Sequence, residues 1–255
     1  MIQAPKGTKD TLPQDSYKVQ HIEAAMRNAA ALAGYREVRT PVFEHTELFL
    51  RGVGDTTDIV QKEMYTFEDK GGRSITLKPE GTAGVVRALI EGKLFAQAQP
   101  QKMYYLNNPI FRYENPQHGR LREHHQFGME CFGAKEPTAD AELISMLLNM
   151  LAGLGLDDLT VHINSIGCPT CRPAYHQRLR EYLGDNLEHL CDNCRQRFDR
   201  NPLRVLDCKE PGCKRIVADA PVVLDMLCEE CDSHFTQLQK LLDAAGVRYQ
   251  VDTHI

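Results

Sequence analysis

The chain has 255 residues, 42% of them hydrophobic and 25% charged, with a formal net charge of -5. That apolar content suffices for a sizeable core, while the acidic balance excludes a generally basic nucleic-acid-coating surface, so any RNA contact needs a local patch. No apolar run approaches the roughly 20 residues that span a bilayer, and the first residues lack the charged-then-apolar pattern of a secretion signal; the expected location is cytoplasmic.

In chain order, residues 16–32 read as an amphipathic helix, with Val19, Ile22, Met26, Ala29 and Ala30 at helical spacing and Gly34 as its stop. Residues 35–40 alternate like a strand and run into Pro41. Segments 64–67 and 74–77 flank Lys70-Gly71-Gly72 and predict a hairpin. Strands are expected at 102–106 and 110–114, then a polar loop over 115–123, then a strand over 124–133. Residues 138–151 make a second amphipathic helix with Asp140 and Glu142 in its first turn. Together these predict an α+β domain over residues 1–165.

From residue 166 to 231 the texture changes to polar, Arg- and Cys-rich sequence punctuated by Pro169, Pro173, Pro202 and Pro211. This reads as an inserted, mostly helical subdomain. Residues 232–255 return to the core, with a helix over 235–245 and a strand starting at 248–251. A strand beginning so near the last residue leads to the expectation that the chain is truncated before the rest of its core.

The densest chemistry lies on Phe111-Arg112-Tyr113-Glu114, on Gly119-Arg120-Leu121-Arg122, and on His125-Gln126-Phe127-Gly128-Met129-Glu130. Alternate side chains of a strand share a face. Arg112 and Glu114 would therefore share one face, as would Gln126, Gly128 and Glu130, opposite Phe127, Met129 and Cys131. If the strands pair, one wall carries an Arg, two Glu and a Gln. Burying those groups costs several kcal/mol unless partners are supplied, and a polar ligand would supply them; Gly128 is expected to leave it room. A solvent-facing wall is the other reading. By themselves Arg120 and Arg122 read as solvated loop charge, Glu80 as a helix-start carboxylate, and His124 and His125 as structural.

The Phe-Arg-x-Glu, loop and Arg pattern resembles motif 2 of class II aminoacyl-tRNA synthetases, and the run from Glu114 to Glu130 is similar to the histidyl branch. Leu77-Lys78-Pro79-Glu80-Gly81-Thr82-Ala83 resembles that branch's amino-acid-binding segment, Pro5-Lys6-Gly7-Thr8-Lys9-Asp10 its opening, and residues 35–44 around Pro41 its motif 1. The resemblance covers essentially the whole chain. It implies an antiparallel sheet flanked by helices and a ligase that activates L-histidine with ATP and magnesium, then charges tRNA(His). It also implies that Arg112 holds the ATP α-phosphate and the attacking carboxylate, that Glu114 faces the adenine, and that Arg120 reaches the γ-phosphate. Glu80, Gly81, Thr82, Arg112, Gln126 and Glu130 would bind histidine, and the motif 1 region would form a homodimer. A family-like chain would continue into motif 3 and an anticodon-binding domain, both absent here, so little activity is expected of this chain alone. A non-catalytic regulatory subunit of histidine biosynthesis is the alternative; retention of the substrate-binding residues favours the enzyme.

Eight of the nine cysteines fall in four close pairs between Cys168 and Cys231. In a reducing compartment metal ligation is the better reading than disulfides. Taken consecutively, Cys168, Cys171, Cys191 and Cys194 fit a structural zinc site, and Cys208, Cys213, Cys228 and Cys231 approximate a second. Free thiols in a helical segment are the other reading, and the family resemblance implies no zinc.

Overall fold

A computed structural model describes residues 2–53, 60, 63–117, 119–253 and 255; His118 of the motif 2 loop lies outside them. The chain groups into two compact units, residues 1–135 with 146–157 and residues 136–145 with 158–255. The divisions expected at 165/166 and 231/232 both fall inside the second unit.

In the first unit, helix α1 (Pro13–Leu32) opens on a proline, whose missing N–H is no loss in a first turn. It stops where Gly34 turns at φ 78° and the Tyr35 amide bonds back to the Ala30 carbonyl. Its apolar stripe is less covered than expected. Ala30 is the fully buried residue among the described residues of the helix, and Val19 and Ile22 stay 38% and 42% exposed.

The strand expected at 35–40 shortens to β1 (Arg36–Glu37), which lies parallel to β5 (Gln101–Phe111). The two strands expected at 102–106 and 110–114 are this one strand, whose register shifts between Tyr105 and Asn108. Antiparallel β6 (Glu123–Phe132) completes a three-stranded sheet in the order β1-β5-β6. A second sheet runs β2 (Phe43–His45), β4 (Ser74–Leu77), β3 (Tyr65–Glu68), with the expected hairpin between the last two. Asp69 closes that hairpin by accepting from the Gly71 and Arg73 amides. Helix α2 (Thr46–Val53) follows β2, and α3 (Thr82–Glu91) packs Val85 and Leu89 onto Met103 and Tyr105 of β5.

Helix α4 (Pro137–Gly153) has residues in both units. In the second unit β7 (Val161–Ile163) and β8 (Tyr249–Val251) pair in parallel, which demands a long crossover. That crossover is α5 (Cys171–Asp185), α6 (Asp192–Arg200), α7 (Leu203–Leu206), α8 (Pro211–Ala218) and α9 (Glu229–Ala244). One apolar cluster, including Leu179, Leu183, Val205 and Val217, draws only on residues 175–227. Another joins Ala141, Ile163, Phe235, Leu238 and Leu242. The fold is α+β, its sheets antiparallel apart from the β1–β5 and β7–β8 pairs. No helix among the described residues is long and apolar enough to cross a membrane.

Candidate functional site

Three segments far apart in sequence meet where α3 starts over the β5–β6 sheet. Glu80, one residue before the helix cap, accepts from the Thr82 amide at 2.7 Å and the Ala83 amide at 2.8 Å. The helix-start role is therefore realised, and it anchors the segment. Thr82 Oγ1 in turn donates to Glu130 Oε1 of β6 at 2.7 Å.

Between the two segments lies the ring of Tyr105, 2% exposed and opposite Gly128 in the strand register. A Cβ at Gly81 would fall 2.3 Å from Tyr105 Cε2, and one at Gly128 would fall 2.1 Å from its Cζ. The space expected at Gly128 for a ligand is thus filled by the Tyr105 ring, because the register sets a large side chain against the residue that lacks one. Gln126 shares that β6 face, two residues before Gly128.

The charge is unbalanced toward acid. Burial pushes the Glu130 carboxyl above the ordinary range, and the nearby Glu80 adds to this while Thr82 opposes it. Burial likewise raises the Tyr105 phenol, which hydrogen-bonds Thr82 and faces both carboxylates. Two carboxylates in a half-buried setting favour a cationic or N–H-bearing ligand, which would remove the cost of keeping Glu130 ionised.

Arg112 and Glu114 are not on the strand face assigned to them, because β5 ends at Phe111. Arg112 lies just beyond, its amide on the Arg122 carbonyl and its Nε on the Pro79 carbonyl at 2.9 Å. The latter bond ties the guanidinium to the Glu80 segment. Glu114 forms an ion pair with Arg120 across the loop, which Gly119 turns at φ 79°. Arg122 stacks over Tyr113 at 4.2 Å and bonds the Glu114 carbonyl through Nε. Its own amide bonds the Gly7 carbonyl, and a Cβ at Gly7 would lie 2.7 Å from Arg122 Cγ. The Pro5–Asp10 opening is therefore docked on the motif 2 loop through a glycine. Burial, then Arg112, holds His124 below the ordinary histidine value; His125 is exposed.

Two residues escaped the sequence reading. Tyr105 sits in an apolar-looking strand, and only the register across the shifted β5–β6 pair sets it against Gly128. Lys78 is 2% exposed, its ammonium 3.4 Å from Thr40 Oγ1; a lysine in a motif gives no sign that it is buried.

The cysteines form two groups, each with all its sulfurs within 4.8 Å of one another: Cys168, Cys171, Cys228 and Cys231, and Cys191, Cys194, Cys208 and Cys213. Either could hold a metal ion. The consecutive pairing expected from spacing, Cys168 and Cys171 with Cys191 and Cys194, is not the one the fold makes. Helix α5, 15 residues long, carries the chain about 22 Å along its axis away from Cys171 before Cys191 is reached. The later helices bring the chain back, so the outer pairs meet each other and the inner pairs meet each other.

The family model described as histidyl-tRNA synthetase matches residues 7–169. The histidine–tRNA ligase of Clostridium botulinum (strain Langeland) is 59% identical over 254 residues, covering 100% of this chain and 61% of that protein. The crystal structure of apo S. aureus histidyl-tRNA synthetase aligns at a TM-score of 0.79 and 37% identity, over 99% of this chain and 57% of that one. An ATP phosphoribosyltransferase regulatory subunit/histidyl-tRNA synthetase from Bacillus halodurans C aligns at 0.69 and 21% identity, over 100% of this chain and 68% of that one, a likeness of fold alone. The chain thus spans about three fifths of the length of its curated relative.

Proposed function

The chain belongs to the histidyl-tRNA synthetase family, and from that premise we propose that it provides the histidine-binding wall and part of the ATP site of a histidine–tRNA ligase. The observation that carries the reading is the Thr82–Glu130 hydrogen bond, which joins two motif segments at one acidic spot over Tyr105. Glu80, Thr82 and Glu130 would take the ammonium and imidazole N–H groups of histidine. Gly81, whose missing Cβ admits the Tyr105 ring, would hold the segment's backbone at that face, and Gln126 would complete the polar face. A pocket that hydrogen-bonds both ring nitrogens rejects apolar analogues more strongly than shape alone could.

In the reaction proposed, a carboxylate oxygen of histidine attacks the ATP α-phosphorus. The bond to the leaving pyrophosphate breaks, and the histidyl group then passes to the terminal ribose of tRNA(His). Arg112 would bridge the α-phosphate and the attacking carboxylate, for which its planar fork is suited. Glu114 would face the adenine. Arg120 would exchange its present bond to Glu114 for the γ-phosphate. Magnesium, arriving with ATP, would supply charge neutralisation. No protein nucleophile is needed; positioning and charge stabilisation suffice.

The presence of Glu80, Arg112, Glu114, Arg120, Gln126 and Glu130 together supports the ligase over a regulatory subunit. The exposure of Val42 and Phe43, beside Pro41, supports a homodimer through the motif 1 region. The ion assigned to the cysteines is zinc, since four thiolates suit a tetrahedral cation and leave no open position for catalysis.

Calorimetry tests the pocket. Histidine should bind the purified protein and bind Glu130→Ala at least about tenfold more weakly, the cost of removing one charged hydrogen-bond partner. Equal affinity in the two proteins would sink the assignment.

A further inference from the structure

The second unit carries two ligand sets in nested order, and we infer that they are two separate zinc sites of unequal strength: an inner one built into the core of the insertion, and an outer, labile one that clasps its two ends. This rests on the reading of the cysteines as zinc ligands.

Sulfur geometry comes first. A tetrahedral zinc with bonds of about 2.3 Å sets its sulfurs about 3.8 Å apart. In the outer group Cys168 Sγ lies 3.4 Å from Cys171 Sγ and 3.8 Å from Cys228 Sγ; in the inner group Cys191 and Cys208 are 3.9 Å apart. A disulfide needs about 2.05 Å and would join sulfurs in twos, whereas here four converge in each group.

Parts of each set's surroundings favour thiolate, although burial opposes it at Cys194 and Cys231. Cys171 opens α5, Cys194 lies in the first turn of α6, Cys213 in that of α8 and Cys231 in that of α9. Helix starts favour negative sulfur. Backbone amides also point at the sulfurs: Thr170 at Cys168 (3.3 Å), Cys228 at Cys171 (3.2 Å) and Cys191 at Cys213 (3.2 Å). Such outer contacts orient metal ligands and tune them.

The two sets differ in what covers them. Cys194, Cys208 and Cys213 are 0%, 8% and 1% exposed and belong to the same apolar cluster as Leu179, Leu183 and Val205. Among the described residues that cluster has ten buried members, so an ion held by the inner sulfurs would cross-link the segment's own core. Of the outer set only Cys171 is buried, while Cys168, Cys228 and Cys231 are partly exposed. Its ligands come from the two ends of the segment, 57 residues apart between Cys171 and Cys228. Solvent and chelator therefore reach the outer ion first.

The experiment is zinc analysis of the whole protein purified without chelator, followed by transfer of the metal to a chromogenic chelator. Two zinc ions per chain are expected, leaving in two phases, the first at least about tenfold faster. The Cys168→Ala/Cys228→Ala protein should keep one zinc and lose the fast phase alone. Cobalt in place of zinc should show the visible absorption of a tetrahedral thiolate site at both positions. One zinc per chain, or two leaving in a single phase, would overturn the nested pair while sparing the zinc assignment. So would loss of both ions from a variant that circular dichroism shows still folded. If the variant does not fold, the phases of the unaltered protein decide. Protein without metal, all eight thiols reacting freely, would overturn the zinc reading itself.

Discussion

At the scale of single residues, two positions show how the fold spends stability on the site region. Lys78 is buried, and desolvation pulls its ammonium from an ordinary 10.5 down to about 8, with Glu44 opposing. Between those values the unfolded chain holds a proton that the folded chain does not, so stability rises with pH from about 8 to 10.5. Below about 8 the folded protein carries a charge it cannot solvate well. Lys78→Met should therefore raise stability at pH 7 by on the order of 1–3 kcal/mol, with the gain shrinking toward pH 10.5. Urea unfolding at the two pH values measures it, and a gain independent of pH would contradict the assignment. The second case is Gly128. A methyl there collides with a buried ring held on its other side by Gly81, so Gly128→Ala should destabilise by about 1–3 kcal/mol, as overpacking does. Denaturant midpoints would show it; an unchanged midpoint would mean that Tyr105 moves aside cheaply.

At the scale of elements, the start of α3 is held by a carboxylate rather than by its cap residue, since Gly81 has no side chain to offer. Glu80→Ala frees two amides and should cost about 1 kcal/mol of stability as well as histidine affinity. Glu80→Gln, which keeps an acceptor oxygen, should recover part of the stability. A thermal shift without ligand separates the two effects: no change for Glu80→Ala would show the amides satisfied by water. Strand β5 teaches the complementary lesson. Pattern alone divided it in two, because the register shift between Tyr105 and Asn108 breaks the period-2 alternation on which a strand reading depends. It also ended the strand too late, since Arg112 leaves the sheet to reach the Pro79 carbonyl.

At the scale of the whole molecule, the two units are stabilised by different means. The first relies on sheets, α3 and the apolar contacts of Val85, Leu89, Met103 and Tyr105. The second has, in its Cys-rich part, a cluster of ten buried residues among those described that takes in Cys194, Cys208 and Cys213, and on the inference above two metal ions cross-link it. The helical character of the inserted segment was legible from its composition, and so was the presence of four cysteine pairs. Which pair meets which was not, because spacing counts residues along the chain while α5 determines where they go in space.

Part of the fold around the site was legible in advance. The pairing of the two strands through the loop and the α+β class follow from local chemistry and periodicity, while Glu80, Thr82, Arg112, Glu114, Arg120, Gln126 and Glu130 are the residues that the family resemblance puts forward. These are short-range properties that a linear pattern can carry. Tertiary structure alone decided that Tyr105 occupies the space over Gly128, that Glu114 and Arg120 hold each other, that Lys78 is buried, and that the cysteines nest. Each of these depends on register, burial or the path of a helix, and those are settled only when distant segments pack together.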